Sequence, residues 1–368
     1  MAKLIYFYPT GNNAPANLAR ELFSNLYTQK SKLNFEIILF VNKKDLETQR
    51  ARYSDINVLS FREIINNREY KNAFVHIPTS PFVAPNERFL LHILSLYRRS
   101  PLIINYHGDI RLETINVYRN KAYKTFLTYI PSYMFVPKLL QRSQRVIVNS
   151  KIMLDIIQKN YHVNGNVIPN ALNEFWYQPP TKTLDLDAGL TIFYHGRLSY
   201  EKGVDILIRA FASCVKALNS KAKLHIAGGG PQTRELIALS KRLGVEDNIV
   251  FLGHLDPETL KAFIYTADAL IYPSRYESFS LAILEAMSMA QGPVYFSSRA
   301  GISNFVDYGK YSFLQFEPTV DSLCNVIKCI LTESKSNTNV ITQQKEFAKK
   351  FSWGCVVSKY LEVYDDFC

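Results

Sequence analysis

Short apolar runs alternate with amphipathic stretches along the whole chain. In the first half the runs are "KLIYFYP" (3–9), "FEIILFV" (35–41), "AFVHIP" (73–78), "PLIINYHG" (101–108), "RVIVNS" (145–150) and "NVIPN" (166–170). Between them, stretches such as "APANLARELFSNLYTQ" and "ERFLLHILSLYRR" place apolar residues at helical spacing. The runs are continuously apolar rather than alternating, which predicts strands buried on both faces. That is the signature of a parallel sheet covered by helices on each side. The pattern then restarts with "TIFYHG" (191–196), "AKLHIAGGG" (222–230), "NIVFLG" (248–253), "ADALIYP" (267–273) and "GPVYFSS" (292–298). Helical segments such as "GVDILIRAFASCVKAL" and "SLAILEAMSMA" separate these runs. Between the halves, "YQPPTKTLDLDAG" (177–189) holds two prolines and no apolar periodicity, so it reads as a linker. The expected class is α/β, with two doubly wound Rossmann-like domains over 1–178 and 179–350 and a final segment over 351–368. Such sheets bind ligands at the carboxyl ends of their strands, and two of them facing each other would leave a cleft.

Composition narrows the function. The chain has 368 residues, 47% hydrophobic and 20% charged, the balance of a folded soluble protein. No run approaches the roughly 18 apolar residues needed to span a bilayer. The start, "MAKLIYFYPTGNN", lacks the shape of a signal peptide, so the expected location is cytosolic. Five cysteines stand apart with no C-x-x-C, which predicts reduced, mostly buried thiols rather than a disulfide framework or a zinc site. The net charge of +11 is lopsided: residues 1–180 carry 23 lysines and arginines against 12 acids, while residues 181–368 carry 20 of each. A basic half suits an anionic partner such as membrane lipid, a pyrophosphate or nucleic acid. No recognised nucleic-acid module is present, which argues against the last.

Three stretches carry candidate chemistry. In "HGRLSYEKGVDILIRAF" (195–211) a strand ends at His195, Arg197 and Lys202 sit in the loop, and a helix follows Gly203. Two cations beside a helix N-terminus suit a diphosphate; a solvated loop with two surface cations is the plain alternative. In "LHIAGGGPQTRELI" (224–237) three glycines separate strand from helix, a place where backbone approaches a ligand closely. It lacks the Lys-Ser/Thr ending of a P-loop. In "RYESFSLAILEAMS" (275–288) Glu277 precedes a helix and Glu285 lies one turn inside it. Charges among small and apolar residues need partners, whether ligands or local backbone.

Together, in this order, these stretches resemble the second domain of the GT-B glycosyltransferases of glycosyltransferase family 4. The shared pattern is Gly196–Arg197…Lys202–Gly203, "GGGP" (228–231), "FLG" (251–253), "PSRYESF" (273–279), "EAM" (285–287) and "GPV" (292–294). "NYHGD" (105–109), "VIPNALNEF" (167–175) and "KKFSWGCVVSKYLEVY" (349–364) extend the likeness over nearly the whole chain, the last resembling the helix that crosses back to the first domain. The resemblance implies a retaining transferase that moves a hexose-type sugar from a UDP- or GDP-sugar to a glycan or lipid-linked acceptor, by front-face attack and without a metal or other cofactor. It implies that Arg197 and Lys202 bind the diphosphate, Glu285 the ribose hydroxyls, and Glu277 the transferred sugar, helped by backbone N–H groups around Phe279, Ser280 and Leu281. Gly229 and Gly253 would lie at the donor, Gly11 would let backbone near the phosphates, and His107 would sit by the donor sugar.

The chain departs from the pattern at Ser280, where glycine is usual, and at "GNN" (11–13), where Gly-Gly is usual. Asp256 reads either as a contact to the base or as a helix cap before Pro257. The D-x-D formed by Asp185 and Asp187 falls in the linker, away from any strand end, which argues against a metal role. Residues 119–145 hold six basic residues, no acids and many aromatics, a composition suited to an anionic membrane surface, and equally readable as a helix pair with a solvated basic face. Competing functions are an inactive GT-B scaffold or regulatory subunit, a sugar-nucleotide epimerase or a phosphorylase.

Overall fold

Six strands of the computed structural model line up in parallel around the first apolar runs, with a seventh at the sheet's edge. The structure describes residues 1–11, 13–81, 87–120, 123–186, 189–306, 314–332 and 338–368, with backbone only at 68, 87, 88, 96 and 124. These residues divide into two units. The first comprises Met1–Ala171 with Trp353–Cys368, and the second comprises Leu172–Ser352.

The strands of the first unit are β1 (Ala2–Phe7), β2 (Phe35–Phe40), β3 (Asn57–Leu59), β4 (Phe74–Ile77), β5 (Leu102–Tyr106), β6 (Arg145–Val148) and β7 (Asn166–Val167). They form one parallel sheet in the order β3-β2-β1-β4-β5-β6-β7. Every residue of β4 and β5 is buried, as expected where helices cover both faces. The order reverses between β1 and β4, the switch point at which such sheets bind ligands.

The last helix, Trp353–Asp365, completes this unit. Its Tyr364 hydroxyl lies 2.7 Å from His76 Nδ1, and His76 Nε2 lies 3.0 Å from Asn105 Oδ1. Asn105 Nδ2 in turn donates to the Tyr360 hydroxyl at 2.9 Å. All four residues are buried. Burial lowers the His76 pKa to about 3, against the opposing bond from Asn105, so the ring is neutral and both its nitrogens are used.

In the second unit the strands are β8 (Thr191–His195), β9 (Lys223–Ala227), β10 (Ile249–Gly253), β11 (Ala269–Tyr272), β12 (Val294–Ser297) and β13 (Gln315–Phe316). Their order is β10-β9-β8-β11-β12-β13, again parallel throughout. The helix Val204–Ala217 buries Leu207, Ala210, Phe211 and Cys214 against this sheet's core. The order reverses between β8 and β11. Two strands absent from the apolar reading, β3 and β13, are the outer strands of their sheets and only three and two residues long.

Cys214 and Cys324 are buried, but Cys329, Cys355 and Cys368 are exposed, against the expectation of mostly buried thiols; all five are free. Cys329 and Cys355 lie on the helices Val320–Thr332 and Trp353–Asp365, whose other face supplies the packing, and Cys368 lies past the last helix, so burial follows position rather than residue type. No described helix is long and apolar enough to cross a membrane.

Candidate active site

Most of the singled-out residues of the second unit gather at the carboxyl ends of β8 and β11. After β8, Gly196 to Gly203 form a loop. After β11, Pro273 to Ser280 form a second loop that enters the helix Leu281–Met289. Arg275 holds the two loops together. Its guanidinium makes two 2.7 Å bonds to the Asp205 carboxylate and a 2.8 Å bond to the Tyr200 carbonyl, while its backbone N–H donates to the Glu201 carbonyl. This fork-to-fork pairing fixes angle as well as distance.

Lys202 and Glu277, one from each loop, form an ion pair, and Ser274 Oγ donates to the other Glu277 oxygen at 3.0 Å. Their side chains are 20% and 14% exposed, so the pair is shielded yet reachable. Arg197 is exposed and, among the described residues, makes no side-chain hydrogen bond or ion pair. Glu285 lies one turn into the helix, with Oε2 3.0 Å from His195 Nε2.

The helix start between the two glutamates is unusual. Ser280 adopts φ 93° and ψ 94°, a conformation that glycine tolerates and serine does not. The strain, about 1–3 kcal/mol, is partly offset because Ser280 Oγ accepts from the Ile283 N–H at 3.4 Å. This is the backbone reason that glycine suits the position, and it is independent of any crowding by a ligand. Among the described residues, the backbone N–H groups of Phe279, Ser280 and Leu281 donate to no protein acceptor. Phe279 faces inward, 1% exposed, its ring 5.7 Å from that of Phe351 and 5.9 Å from that of Phe305. Unpaired N–H groups at a helix N-terminus favour an anion.

The glycine run zips against the first loop. Gly228 has φ 117°, and a Cβ there would lie 2.0 Å from the Gly196 carbonyl oxygen, so no side chain fits. Leu198 N–H donates to the Gly229 carbonyl at 2.9 Å, and Gly228 N–H donates to the Gly253 carbonyl at 2.6 Å. Gly229 and Gly253 thus belong to the same loop cluster. Asp256 caps the helix Pro257–Thr266, its oxygens accepting from the Thr259 N–H at 3.0 Å and hydroxyl at 2.6 Å. Those bonds hold its carboxyl below the usual range. The cap reading accounts for both oxygens. Asp185 lies in a stretch without helix or strand, and Asp187 lies outside the described residues, as does Asn12 of the first loop.

Gly11 and His107 belong to the first unit. They line a cavity of about 460 Å³ at the carboxyl ends of β1 and β4, together with Thr10, Asn13, Ser80 and Glu113. A Cβ at Gly11 would meet only ordinary contacts, 3.8 Å or longer, so the protein's own packing does not demand glycine there. His107 Nε2 lies 3.2 Å from the Pro78 carbonyl and its backbone N–H donates to Ser80 Oγ at 2.9 Å. Burial lowers its pKa against the pull of the Pro78 and Asn170 bonds, which makes it a neutral histidine at pH 7. In the adjoining Asp109, the carboxylate caps the helix Ile110–Arg119 and receives the hydroxyls of Tyr106 and Tyr161.

Residues 182–347 match the family model described as glycosyl transferases group 1. The matched stretch lies within the second unit, Leu172–Ser352. An uncharacterised glycosyltransferase of Methanocaldococcus jannaschii is 33% identical over 174 residues, 47% of this chain and 44% of the relative. The gpi3 subunit of phosphatidylinositol N-acetylglucosaminyltransferase of Schizosaccharomyces pombe is 27% identical over 205 residues, 55% of this chain and 44% of the relative. The chain thus spans less than half the length of these curated relatives. The crystal structure of Anabaena HepE in complex with UDP and glucose matches with a TM-score of 0.70 at 17% identity, covering all of both chains. The fold is GT-B, built of two Rossmann-like α/β domains.

The matched stretch contains every residue singled out between 197 and 285. Tyr272, Ser274, Arg275 and His195 enter the site through contacts to which the sequence motifs assign no role. The signal for Arg275 was its place inside "PSRYESF". His195 and Tyr272 had none, since their partners lie 77 to 90 positions away in the chain.

Proposed function

We propose that the chain is a retaining glycosyltransferase of family 4 type that moves a hexose from a nucleoside-diphosphate sugar, UDP- or GDP-linked, to a glycan or lipid-linked acceptor. The observation that carries this reading is the start of the helix Leu281–Met289. Its unpaired N–H groups stand between Glu277, paired with Lys202, and Glu285, paired with His195. An anion at the helix start would have a carboxylate on either side, one to receive hydroxyls of a sugar and the other those of a ribose.

In this reading the bond from the sugar's anomeric carbon to the diphosphate oxygen breaks, and negative charge grows on the leaving diphosphate. Lys202, Arg197 and the free N–H groups of Phe279, Ser280 and Leu281 stabilise that charge where it forms. The acceptor oxygen bonds the anomeric carbon on the face the diphosphate leaves, and its proton passes to a diphosphate oxygen. Glu277 holds sugar hydroxyls, Glu285 holds the ribose, and Gly11 and neutral His107 serve the same reaction from the first unit. The positive charge comes from these side chains and amides, so the reading invokes no metal. The likeness to a protein crystallised with UDP and glucose supports the donor class.

A lipid-linked acceptor is favoured by the helix Tyr123–Gln141, which exposes Leu127, Met134 and Phe135, and by one relative's being named for phosphatidylinositol. A thermal-shift panel of UDP-, GDP- and ADP-sugars tests the donor reading. A UDP- or GDP-sugar should raise the melting temperature, by about 2.7 kcal/mol of stabilisation at a hundredfold excess over Kd. No shift with any donor would sink the reading.

A further inference from the structure

A chain of hydrogen bonds crosses the carboxyl end of the second sheet. His195 ends β8, Tyr272 ends the neighbouring β11, and Glu285 projects from the helix that follows β11. The Tyr272 hydroxyl lies 2.8 Å from His195 Nδ1, and His195 Nε2 lies 3.0 Å from Glu285 Oε2. His195 is 5% exposed and Tyr272 is 2% exposed.

The direction of the protons along this chain follows from the partners. Burial, with the Glu285 charge behind it, pushes the Tyr272 hydroxyl pKa well above its ordinary value, so the phenol keeps its proton. Among the described residues His195 Nδ1 is the only partner of that hydroxyl. Nδ1 therefore accepts, the ring's single proton sits on Nε2, and Nε2 donates to Glu285. Glu285 Oε2 is thereby used. Its other oxygen receives no protein donor among the described residues, and the side chain is 18% exposed. A glutamate on a helix has several rotamers, and one pinned oxygen fixes where the other points.

We propose that His195 is a positioning residue for nucleotide recognition: Tyr272 sets its tautomer, and its Nε2–H holds Glu285 so that the free carboxylate oxygen meets the ribose hydroxyls. This rests on the donor reading above. A carboxylate already held in place binds without the entropy cost of being ordered by the ligand.

Two substitutions separate positioning from packing. In His195→Asn the short amide oxygen still accepts from the Tyr272 hydroxyl, which keeps that buried group satisfied, but the side chain cannot reach Glu285. In His195→Gln the longer amide presents a donor near the old Nε2. Titration calorimetry on the full chain compares UDP with 2′,3′-dideoxy-UDP, and GDP with 2′,3′-dideoxy-GDP. The unaltered chain should favour the ribose form of one pair by ~10-fold or more, the worth of a hydrogen bond to a charged group. His195→Asn should bring that ratio near one with the melting temperature little changed, while His195→Gln should recover most of it. A full ratio in a folded His195→Asn, or a loss in His195→Gln as large as in His195→Asn, overturns the proposal. If the unaltered chain binds UDP or GDP without preferring ribose, the Glu285 and His195 roles fall while the donor reading stands. Should neither nucleotide bind, both fall.

Discussion

Lys202 and Glu277 occupy each other before any donor is present, and this shapes what substitution does. Lys202→Ala removes a cation proposed for the diphosphate and also leaves a shielded carboxylate without its partner. Transfer should fall at least ~100-fold, the usual worth of a group that stabilises developing charge. Stability should fall by about 1–3 kcal/mol as well, because an unpaired group in a shielded place carries that cost. Glu277→Gln is milder on the fold, since the amide keeps a partner for Ser274 Oγ, but transfer should collapse to a similar degree. Initial rates and melting curves on the two variants check this; near-normal rates in either would refute its role. At this scale the sequence showed which residues matter more clearly than what holds them. Glu277 and Glu285 stood out because charge among small and apolar residues needs a reason, and Lys202 because it is a cation beside a helix N-terminus. The clamp of Arg275 on Asp205, and the histidine behind Glu285, depend on contacts across 70 to 90 positions that no local pattern encodes.

The elements were legible where physics leaves few choices. A strand covered on both faces must be apolar throughout, so β1, β5, β8 and β11 declared themselves. Edge strands β3 and β13 have no such demand and are too short to show a period. The helix Tyr123–Gln141 is a different case. It contains Pro131 and Pro137, each of which removes one main-chain bond, and it exposes Leu127 at 65%, Met134 at 62% and Phe135 at 49%. Lys138 lies 6.0 Å from the Phe135 ring, joining charge to apolar surface. Of the basic stretch 119–145, Lys121 and Ala122 lie outside the described residues. Apolar side chains beside cations, with no acid in the segment, suit an anionic bilayer surface. Co-sedimentation should recover the protein with vesicles of mixed phosphatidylglycerol and phosphatidylcholine at low salt and release it as salt rises, since screening weakens the attraction. Absence of binding at low salt would end the membrane reading, and Leu127→Ser with Met134→Ser should weaken binding without changing the fold.

At the scale of the whole molecule, each unit owns one of the two tryptophans: Trp353 in the first and Trp176 in the second. Trp353 Nε1 donates to Glu21 at 2.6 Å within the first unit, so Trp176→Phe leaves a reporter for that unit alone. The first unit holds His76, whose folded pKa of about 3 lies below its ordinary 6.5, and His107, lowered in the same direction. A histidine held neutral adds stability above the unfolded pKa and loses it as pH falls, because the unfolded chain then binds the extra proton. Urea unfolding of Trp176→Phe should therefore show stability dropping from pH 6.5 toward 4.5. His76 alone contributes a limiting slope of about 1.4 kcal/mol per pH unit. His76→Gln should shallow the slope; an unchanged slope would refute the assignment. The two-unit plan itself was legible because the strand pattern visibly restarts. That the last helix completes the first unit was legible only by resemblance, since Tyr360 and Tyr364 meet His76 and Asn105 across more than 250 positions.

That last helix has a consequence for how the protein is made. Chains usually fold domain by domain as they leave the ribosome, the first domain leading. Here the second unit, continuous over Leu172–Ser352, is synthesised whole before the helix that closes the first unit has emerged. Until then His76 and Asn105 lack the two tyrosines that satisfy them. The unit whose translation begins before its neighbour's is thus completed after it.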